Sequence, residues 1–372
     1  MIKRDLQSNL EKKLFKGKAI LLLGPRQVGK TTLIENLLKD KLYLFLDGDD
    51  PTVRTILENP NTLQIKQIIG QHKIVFIDEA QRIAGIGITI KIITDQLKDV
   101  QVILSGSSSF ELSGLMQEPL TGRKWTFHFY PVSWKEWQDH KGFLHAEQDL
   151  ETRLIYGMYP DVLNHPEEQA EVLKELVDSY LYKDVLAIGG IKKPEIMQKL
   201  LQAIAFQLGQ EVSYNELASL LKIDAKTVSA YIEILEQAYV IFKLTAFSRN
   251  LRNEIKTNRK IYFYDNGVRN TVIGNYQPVS LRQDIGALWE NFLISERIKL
   301  LEYTGNVSRK YFWRTKQQQE IDYIEELNEE IHAYEFKWNS GKKIFFPKTF
   351  SNNYKAKMTG ITRKNFREFL IY

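Results

Sequence analysis

The stretch that decides the fold is ILLLGPRQVGKTT, residues 20–32. Its first four residues are apolar and strand-like. The segment TTLIENLLKD, which begins with its last two residues, has a helical pattern. Between them, Gly24, Gly29, Lys30 and Thr31 have the spacing of a P-loop, a phosphate-binding loop that must follow a strand and open a helix. Both neighbours are present, so the sequence predicts a strand–loop–helix unit that binds nucleotide phosphates.

The chemistry of phosphate binding explains this spacing. Backbone N–H groups of the loop and of the helix N-terminus surround the phosphates, which requires glycine where a side chain would intrude. Lys30 is expected to reach the β- and γ-phosphates, and the Thr31 hydroxyl to ligate Mg²⁺. The predicted ATP-binding residues of this loop are Gly24, Pro25, Arg26, Gln27, Val28, Gly29, Lys30, Thr31 and Thr32.

KIVFIDEAQR, residues 73–82, supplies the second half of such a site. Its apolar run predicts a buried strand that ends in Asp78 and Glu79. Asp78 is placed to hold Mg²⁺ together with Thr31, directly or through water. Glu79 is placed to polarise the attacking water, so Lys30 and Glu79 are predicted to be catalytic.

Two further stretches are weaker candidates. VILSGSSSF places Ser105, Ser107 and Ser108 at a strand end, where a hydroxyl either senses the γ-phosphate or caps a turn; Ser107 is included among the ATP-binding candidates. Arg123 in LTGRK either stabilises transition-state charge, in its own subunit or in a neighbour's, or is a surface arginine.

Short apolar runs alternate with helical patterns up to about residue 130, which predicts a parallel sheet covered on both faces. We therefore expect an α/β P-loop NTPase core at 1–130 and a helical connector at 131–190. A winged-helix module at 191–265 and an α/β nuclease-like domain at 266–372 follow.

The winged-helix prediction rests on SYNELASLLKIDAKTVSAYIEILEQ, residues 213–237, in which Ser213 and Asp224 are candidate N-caps of two short helices. The outward face of the second helix carries Lys226 and Thr227 but also two glutamates, which suits a phosphate backbone poorly. The basic stretch at 248–260 is the better candidate DNA contact. The predicted buried face of the second helix consists of Val228, Tyr231, Ile232 and Leu235.

The nuclease-like prediction rests on EIDYIEELNEEIHAYEFKWN, which starts at Glu320. A two-residue turn at Asn328–Glu329 places Asp322 opposite Glu335, with Lys337 on the same face because side chains alternate. Glu290 lies on the apolar side of an upstream helix.

The order of a helix with Glu290 and strands with Asp322, Glu335 and Lys337 is the layout of the PD-(D/E)xK nuclease fold. Converging carboxylates repel unless a cation or a proton intervenes, which favours a second Mg²⁺ or Mn²⁺ held by oxygen ligands. The alternative is a satisfied structural ion cluster without cleavage.

Composition limits the remaining classes. The 372 residues are 43% hydrophobic and 26% charged, as in ordinary globular proteins, and without cysteine the chain has neither disulfides nor a cysteine zinc site. No apolar run has the length of a membrane span and the first residues have no signal-peptide core, so we expect a cytosolic protein without a membrane partner. The net charge of residues 340–372 is +7, whereas that of the whole chain is +5. This basic C-terminal end indicates a polyanion partner or a solvated basic surface.

In combination, GPRQVGKTT, FIDEAQR, ILSGSSSF, LTGRK, FYPVSWKEW, YLYKDV, KIYFYDNGVRN, DIGALWENFL and EIDYI…EFKW resemble the prokaryotic AAA-superfamily ATPases that end in a DUF4143-type domain. The resemblance implies a P-loop ATPase core with ATP and Mg²⁺, a winged helix and a restriction-endonuclease-like domain. The chain departs from the family pattern at Met158, where the family usually has a glycine.

Two functions remain open from the sequence. The first is a Mg²⁺-dependent ATPase that acts on or with DNA through its winged-helix and nuclease-like domains. The alternative is a nucleotide-operated switch or scaffold that binds a protein partner, with an inactive nuclease-like domain. An oligomer is compatible with either.

Overall fold

A computed structural model of the chain describes residues 1–106, 120–179, 193–248, 259–341 and 343–371. The predicted γ-phosphate sensors Ser107 and Ser108 lie outside the described residues, as does most of the basic stretch that follows Ser248. The chain folds as two compact units. The first contains residues 3–131 together with 237–239, and the second contains 132–236 and 240–372.

Within its described residues, the first unit is built on a five-stranded parallel sheet with the strand order β2-β3-β4-β1-β5. The strands are β1 Ala19–Leu23, β2 Leu44–Asp47, β3 Ile74–Asp78, β4 Gln101–Gly106 and β5 Lys124–His128. Every residue of the three central strands β1, β3 and β4 is buried, whereas the edge strands are partly exposed. Burial on both faces explains why the central strands are unbroken apolar runs, and it agrees with the predicted parallel sheet.

Helices connect these strands: α1 Leu6–Glu11, α2 Lys30–Leu38, α3 Pro51–Leu57, α4 Thr62–Ile69 and α5 Ile86–Gln96, with a short 3₁₀ helix at Ala80–Arg82. Local capping sets some of their starts. Asn61 and Gln64 form a reciprocal capping box at the start of α4, which satisfies two N–H groups that the first turn leaves free.

The second unit begins with helices: α6 Trp134–Lys141, α7 Phe143–Tyr156, α8 Pro160–Asn164, α9 Gln169–Leu176, α10 Pro194–Phe206, α11 Tyr214–Leu221 and α12 Ala225–Gln237. The predicted caps of the last two are confirmed, because Ser213 accepts from the N–H of Glu216 and Asp224 accepts from the N–H of Thr227 at 2.8 Å. The buried face of α12 is as predicted except for Tyr231, which is only half-buried.

A mixed sheet and the helices that accompany it form the rest of the second unit. Its described strands are β6 Glu211–Val212, β7 Ile241–Ala246, β8 Arg259–Phe263, β9 Arg309–Arg314, β10 Glu320–Leu327, β11 Glu330–Lys337 and β12 Ala356–Thr362, in the order β12-β11-β10-β9-β7-β8-β6. The pair β7–β9 is parallel, with Thr245 opposite Tyr311. One sheet therefore runs across the boundary expected between the winged-helix and nuclease-like segments, and the two segments share a core.

Four helices accompany the later strands in the described residues: α13 Asn266–Val272, α14 Ile285–Thr304, α15 Lys348–Asn353 and α16 Phe366–Ile371, with a 3₁₀ helix at Val279–Leu281. None of the described helices is both long enough and apolar enough to span a bilayer.

The hairpin of β10 and β11 turns at Asn328–Glu329, as predicted, with Leu327 paired to Glu330. Its pairing with β9 is irregular, because the register shifts between Ile321 and Ile324. As a result Ile321 packs in the same buried cluster as Ile324, although strict alternation placed it on the opposite face. A bulge of this kind adds a residue to one strand and turns the following side chain.

Met158, which stands where the related family usually has glycine, has a defined backbone role. Its N–H donates to Asp265 Oδ2 at 2.7 Å, and the same carboxylate caps α13 by accepting from Val268 N at 3.1 Å. The preceding Gly157 has φ +70° and approaches the Asp265 carboxylate so closely that a Cβ would lie 2.0 Å from Oδ1. Position 157 is therefore the one that requires glycine, and a side chain at position 158 is tolerated.

Candidate functional site

The loop between β1 and α2 has a backbone that only glycine fits at two positions. Gly29 caps α2 with φ +88°, in the left-handed region that other residues rarely adopt. A Cβ on Gly24 would lie 2.0 Å from the carbonyl oxygen of Phe129. The loop is thus held against the end of β5, and the N-terminus of α2 opens beside it.

Lys30, the first residue of α2, points back into this loop. Its ammonium donates to the carbonyl oxygens of Gly24 at 3.0 Å and Pro25 at 2.8 Å, and the side chain is buried. Burial lowers the pKa of Lys30 to about 8, although the carboxylates of Glu79 and Asp78 favour its charged form. A positive charge is thus held at the loop by two backbone carbonyls.

Asp78 ends β3 and is joined to residues of two other elements. Its Oδ2 accepts from the Thr31 hydroxyl at 2.5 Å, and its Oδ1 accepts from the Ser105 hydroxyl at the end of β4. The order of the sheet places β4 between β3 and β1, so the three side chains meet at the carboxyl edge. Thr31 and Asp78 together offer the oxygen ligands that Mg²⁺ prefers. Ser105, one of the three serines considered as γ-phosphate sensors, instead orients the carboxylate.

Glu79 follows Asp78 with φ +45°, an uncommon value for a residue with a side chain. Its N–H donates to Asp78 Oδ1 at 3.0 Å, and its Oε2 accepts from the amide of Gln81. The Glu79 side chain is half-buried at the same edge of the sheet. Gln81 was not assigned a role from the sequence, although it lies in the DEAQ segment that signals the site.

Arg4 is a second residue that the sequence did not reveal. Its buried guanidinium donates to the carbonyl oxygens of Val28 at 2.9 Å and Tyr130 at 2.7 Å, and lies 3.9 Å from the centre of the Phe129 ring. These contacts tie the phosphate-binding loop to the segment after β5. No local pattern marks Arg4, because its partners are 24 and 126 residues away.

Arg123 is not brought to this site within one chain. It precedes β5, whose first residue, Lys124, pairs with Ala19 at the start of β1. The phosphate-binding loop follows the other end of β1. Arg123 instead pairs with Asp95 of α5 at 2.7 Å, and that hydrogen bond raises the pKa of Arg123.

A second group of charged side chains lies in the C-terminal unit. Asp322 Oδ2 accepts from the Phe336 N–H at 2.8 Å, across the β10–β11 pair. Glu335 Oε1 accepts from Lys337 at 2.6 Å. Burial, followed by the nearby carboxylates of Glu290 and Glu335, raises the pKa of Asp322 well above its ordinary value. The structure therefore brings together the four residues proposed for a nuclease-like site.

Three more residues join this group. Lys260 of β8 is fully buried and forms ion pairs with Glu290 at 3.1 Å and with Glu320. The Tyr262 hydroxyl donates to Glu290 Oε1 at 2.5 Å. We call the acidic residues of this group the carboxylate cluster; it consists of Glu290, Glu320, Asp322 and Glu335. Lys260, Tyr262 and Glu320 were not assigned a role from the sequence, although Glu320 opens the stretch that contains Asp322 and the other two lie in KIYFYDNGVRN.

The basic C-terminal stretch is only partly free for a partner. Arg363 pairs with Glu151 at 3.1 Å and Arg367 with Glu147 at 2.7 Å, both on α7. Arg363 also lies 4.4 Å from the centre of the Trp338 ring. Exposed lysines of this stretch are Lys343, Lys348, Lys355, Lys357 and Lys364. The two arginines are thus paired within the unit, whereas the lysines face solvent.

A five-stranded parallel sheet with a glycine-bounded loop, a lysine that opens the next helix and an acidic pair at the end of a neighbouring strand defines the class of P-loop proteins. Comparison with known families agrees. A family model described as an AAA domain matches residues 16–138, and domains of unknown function DUF8612 and DUF4143 match 147–278 and 285–370. The chain therefore joins an AAA-type P-loop ATPase domain to DUF8612 and DUF4143 domains, which confirms the resemblance.

The relatives are prokaryotic proteins described as uncharacterized. One from Mycobacterium tuberculosis is 27% identical over 346 residues, which covers 92% of this chain and 75% of that protein. One from Methanocaldococcus jannaschii is 25% identical over 374 residues, 89% and 81% of the two chains. Among solved structures, a Walker-type ATPase of Pyrococcus abyssi has a TM-score of 0.51 at 17% identity, over 73% of this chain and 96% of that one. This last similarity concerns the fold.

Proposed function

We propose that this protein binds ATP with Mg²⁺ and hydrolyses it. The observation that carries the proposal is the meeting of Lys30, Thr31, Asp78 and Glu79 at one edge of the parallel sheet. Lys30 and Thr31 stand at the N-terminus of α2, where backbone N–H groups favour phosphate. Asp78 and Glu79 end the strand β3, and Asp78 reaches Thr31 directly.

Each side chain has a separable role in this proposal. Lys30 donates to the β- and γ-phosphate oxygens in place of the loop carbonyls that it contacts now. Thr31 and Asp78 would hold Mg²⁺, which neutralises phosphate charge when bound. Glu79, oriented by Gln81, accepts a hydrogen bond from the attacking water.

Two variants test this division of roles. Lys30→Ala should weaken ATP binding, whereas Glu79→Gln should bind ATP normally and hydrolyse it about 10²- to 10⁴-fold more slowly, the usual worth of a general base. Binding is measured by calorimetry and hydrolysis by phosphate release. Glu35→Gln, an exposed glutamate on α2, is the matched control and should change neither. Equal loss of ATP binding in the Lys30 and Glu79 variants would refute the assignment of Glu79.

A second candidate function is DNA binding by the middle of the chain. It is supported by the order α10–β6–α11–α12–β7–β8 with the strands paired β6-β8-β7, which is the arrangement of a winged helix. On α12, Glu236 pairs with Lys243 of β7 at 2.6 Å. Of the two outward glutamates, only Glu233 is fully exposed.

DNA binding at two salt concentrations tests this candidate. Real phosphate contacts give an affinity that falls steeply as salt rises. A flat salt dependence would favour the alternative, a nucleotide-operated switch that binds a protein partner.

We also propose that residues 285–371 have the restriction-endonuclease-like fold. The support is the order of helix α14, the antiparallel strands β9, β10 and β11, helix α15 and the strand β12, which pairs parallel to β11. In that fold, Glu290, Asp322, Glu335 and Lys337 occupy the positions of the nuclease motif. The fold by itself carries no activity, since activity depends on the site.

A further inference from the structure

We infer that Lys260 is the internal counter-ion of Glu290 and Glu320 in the carboxylate cluster and supplies there the kind of positive charge that a divalent metal would supply in a nuclease of this fold. The cluster then acts as a structural element that joins β8, α14 and β10, and it does not cleave nucleic acid. The inference is independent of ATP hydrolysis, which depends on the first unit.

Lys260 is placed for this role by its strand. It lies on β8, opposite Leu244 of β7 and Glu211 of β6, and its side chain is fully buried. Its ammonium contacts the carboxylates of Glu290, from α14, and Glu320, from β10. A buried ammonium persists only with such partners, because leaving water is costly for a charge. Lys260 and the two glutamates therefore require one another.

Each of the four carboxylates has one oxygen that contacts a donor of the chain, and for Glu320 this donor is Lys260. Glu290 Oε1 accepts from both Lys260 and Tyr262, and Asp322 Oδ2 accepts from a backbone N–H. Glu335 Oε1 accepts from Lys337. The Oε2 atom of Glu335 is buried without a partner in the structure as described. Mg²⁺ is usually bound through one or two carboxylates and several waters, but here Glu290, Glu320 and Glu335 each already hold an ammonium group of the chain.

The donor set therefore does not fit a resident divalent ion. Across the described residues, no three histidine or acidic side chains are grouped so as to hold a metal. The charges are also nearly balanced within the chain. Lys260 pairs with Glu290 and Glu320, Lys337 pairs with Glu335, and Arg314 lies 3.8 Å from Glu320 and 3.9 Å from Glu211. A divalent ion bound to Glu290 would lie beside the Lys260 ammonium, which would repel it.

Manganese binding to the full-length protein without nucleotide tests the inference. Free Mn²⁺ is measured by electron paramagnetic resonance for the wild type and for Asp322→Asn. We expect the two proteins to bind Mn²⁺ equally, because Asp322 holds no ion. We expect Lys260→Met to gain one Mn²⁺ site, with affinity at least about tenfold above any site in the wild type, because removal of the ammonium exposes the Glu290 and Glu320 oxygens.

Lys243→Met is the matched control. Lys243 lies on the neighbouring strand and pairs with Glu236, but it is partly exposed and outside the carboxylate cluster. It should gain no Mn²⁺ site. Circular dichroism establishes that each variant is folded.

Two results would overturn the inference. One is a Mn²⁺ site in the wild type that Asp322→Asn abolishes. The other is a folded Lys260→Met that gains no Mn²⁺ site. If Lys260→Met does not fold, the comparison of the wild type with Asp322→Asn still decides, because only a metal centre makes those two proteins differ in Mn²⁺ binding.

Discussion

Arg123 Nε lies 2.7 Å from Asp95 Oδ1, at the edge of the first sheet where the parallel strands begin. The backbone confirms this position, because the Ala19 N–H donates to the Arg123 carbonyl at 2.9 Å. The phosphate-binding loop follows Leu23, at the other end of β1. At about 3.3 Å per residue, the strand separates the two by roughly 16 Å. Arg123 is therefore too far from the phosphate-binding loop of its own chain to contact a nucleotide there.

The first prediction follows from that separation. If Arg123 completes the site of a neighbouring copy, Arg123→Ala and Lys30→Ala should each hydrolyse ATP poorly, and a mixture of the two should recover activity. Each copy would then supply what the other lacks, an intact loop or an intact arginine. Phosphate release from the mixture is the measurement. If Arg123→Ala alone hydrolyses ATP at the wild-type rate, Arg123 is a surface arginine without a catalytic role.

The second prediction concerns pH. The pKa of Lys30 is lowered to about 8 because the side chain is buried. Above pH 8 the nucleotide-free protein loses this charge, so the Kd for ATP should rise, by up to about tenfold per pH unit. ATP titrations from pH 7 to 9.5 measure this. Lys30→Arg, which stays charged, should show a flatter profile if it binds ATP, and a wild-type Kd that is constant across the range would contradict the prediction.

The lowered pKa of Lys30 affects folding in the opposite direction: a higher pH weakens ATP binding but stabilises the folded protein. Between pH 8 and about 10.5 the unfolded chain holds more protons at this lysine than the folded protein, so the contribution of Lys30 to the free energy of unfolding rises with pH in that window.

The third prediction separates two kinds of basic residue at the C-terminal end. Charge reversal of Lys355, Lys357 and Lys364 should weaken DNA binding and flatten its salt dependence, because these lysines face solvent. Reversal of Arg367, which pairs with Glu147, should instead lower stability through the lost ion pair. Filter binding at two salt concentrations and thermal unfolding distinguish them. Unchanged DNA binding after the lysine reversals would show that these lysines form a solvated surface and do not contact DNA.

The fourth prediction concerns stability. Tyr262→Phe removes a buried hydroxyl that donates to Glu290 at 2.5 Å. A hydrogen bond to a charged group contributes about 1.5–3 kcal/mol, so the free energy of unfolding should fall by that amount. Tyr214→Phe is the control, since its hydroxyl accepts from Arg259 in a partly exposed position. The free energy of unfolding is measured by urea unfolding. Equal losses for the two variants would show that the hydrogen bond to Glu290 contributes no more stability than the exposed one.

The sequence was most informative where chemistry is local. The loop at 24–29, the caps Ser213 and Asp224 and the turn at Asn328–Glu329 each depend on residues within a few positions of one another, so spacing and residue type are sufficient to predict them. Hydrophobic runs likewise indicated the parallel sheet, because a strand covered on both faces must be apolar throughout. Side-chain alternation predicted that Asp322 and Glu335 would face each other, but not the bulge that moved Ile321.

Tertiary structure decided the rest. Whether Arg123 reaches the phosphate-binding loop depends on which end of β5 it occupies, and strand direction is set by the whole sheet. Lys260 is 30 residues from Glu290 and pairs with Glu320 from another strand, and no local pattern records that approach. The reason is physical: a buried charge is stabilised by whatever lies around it in space, and chain distance places no limit on which residues those are.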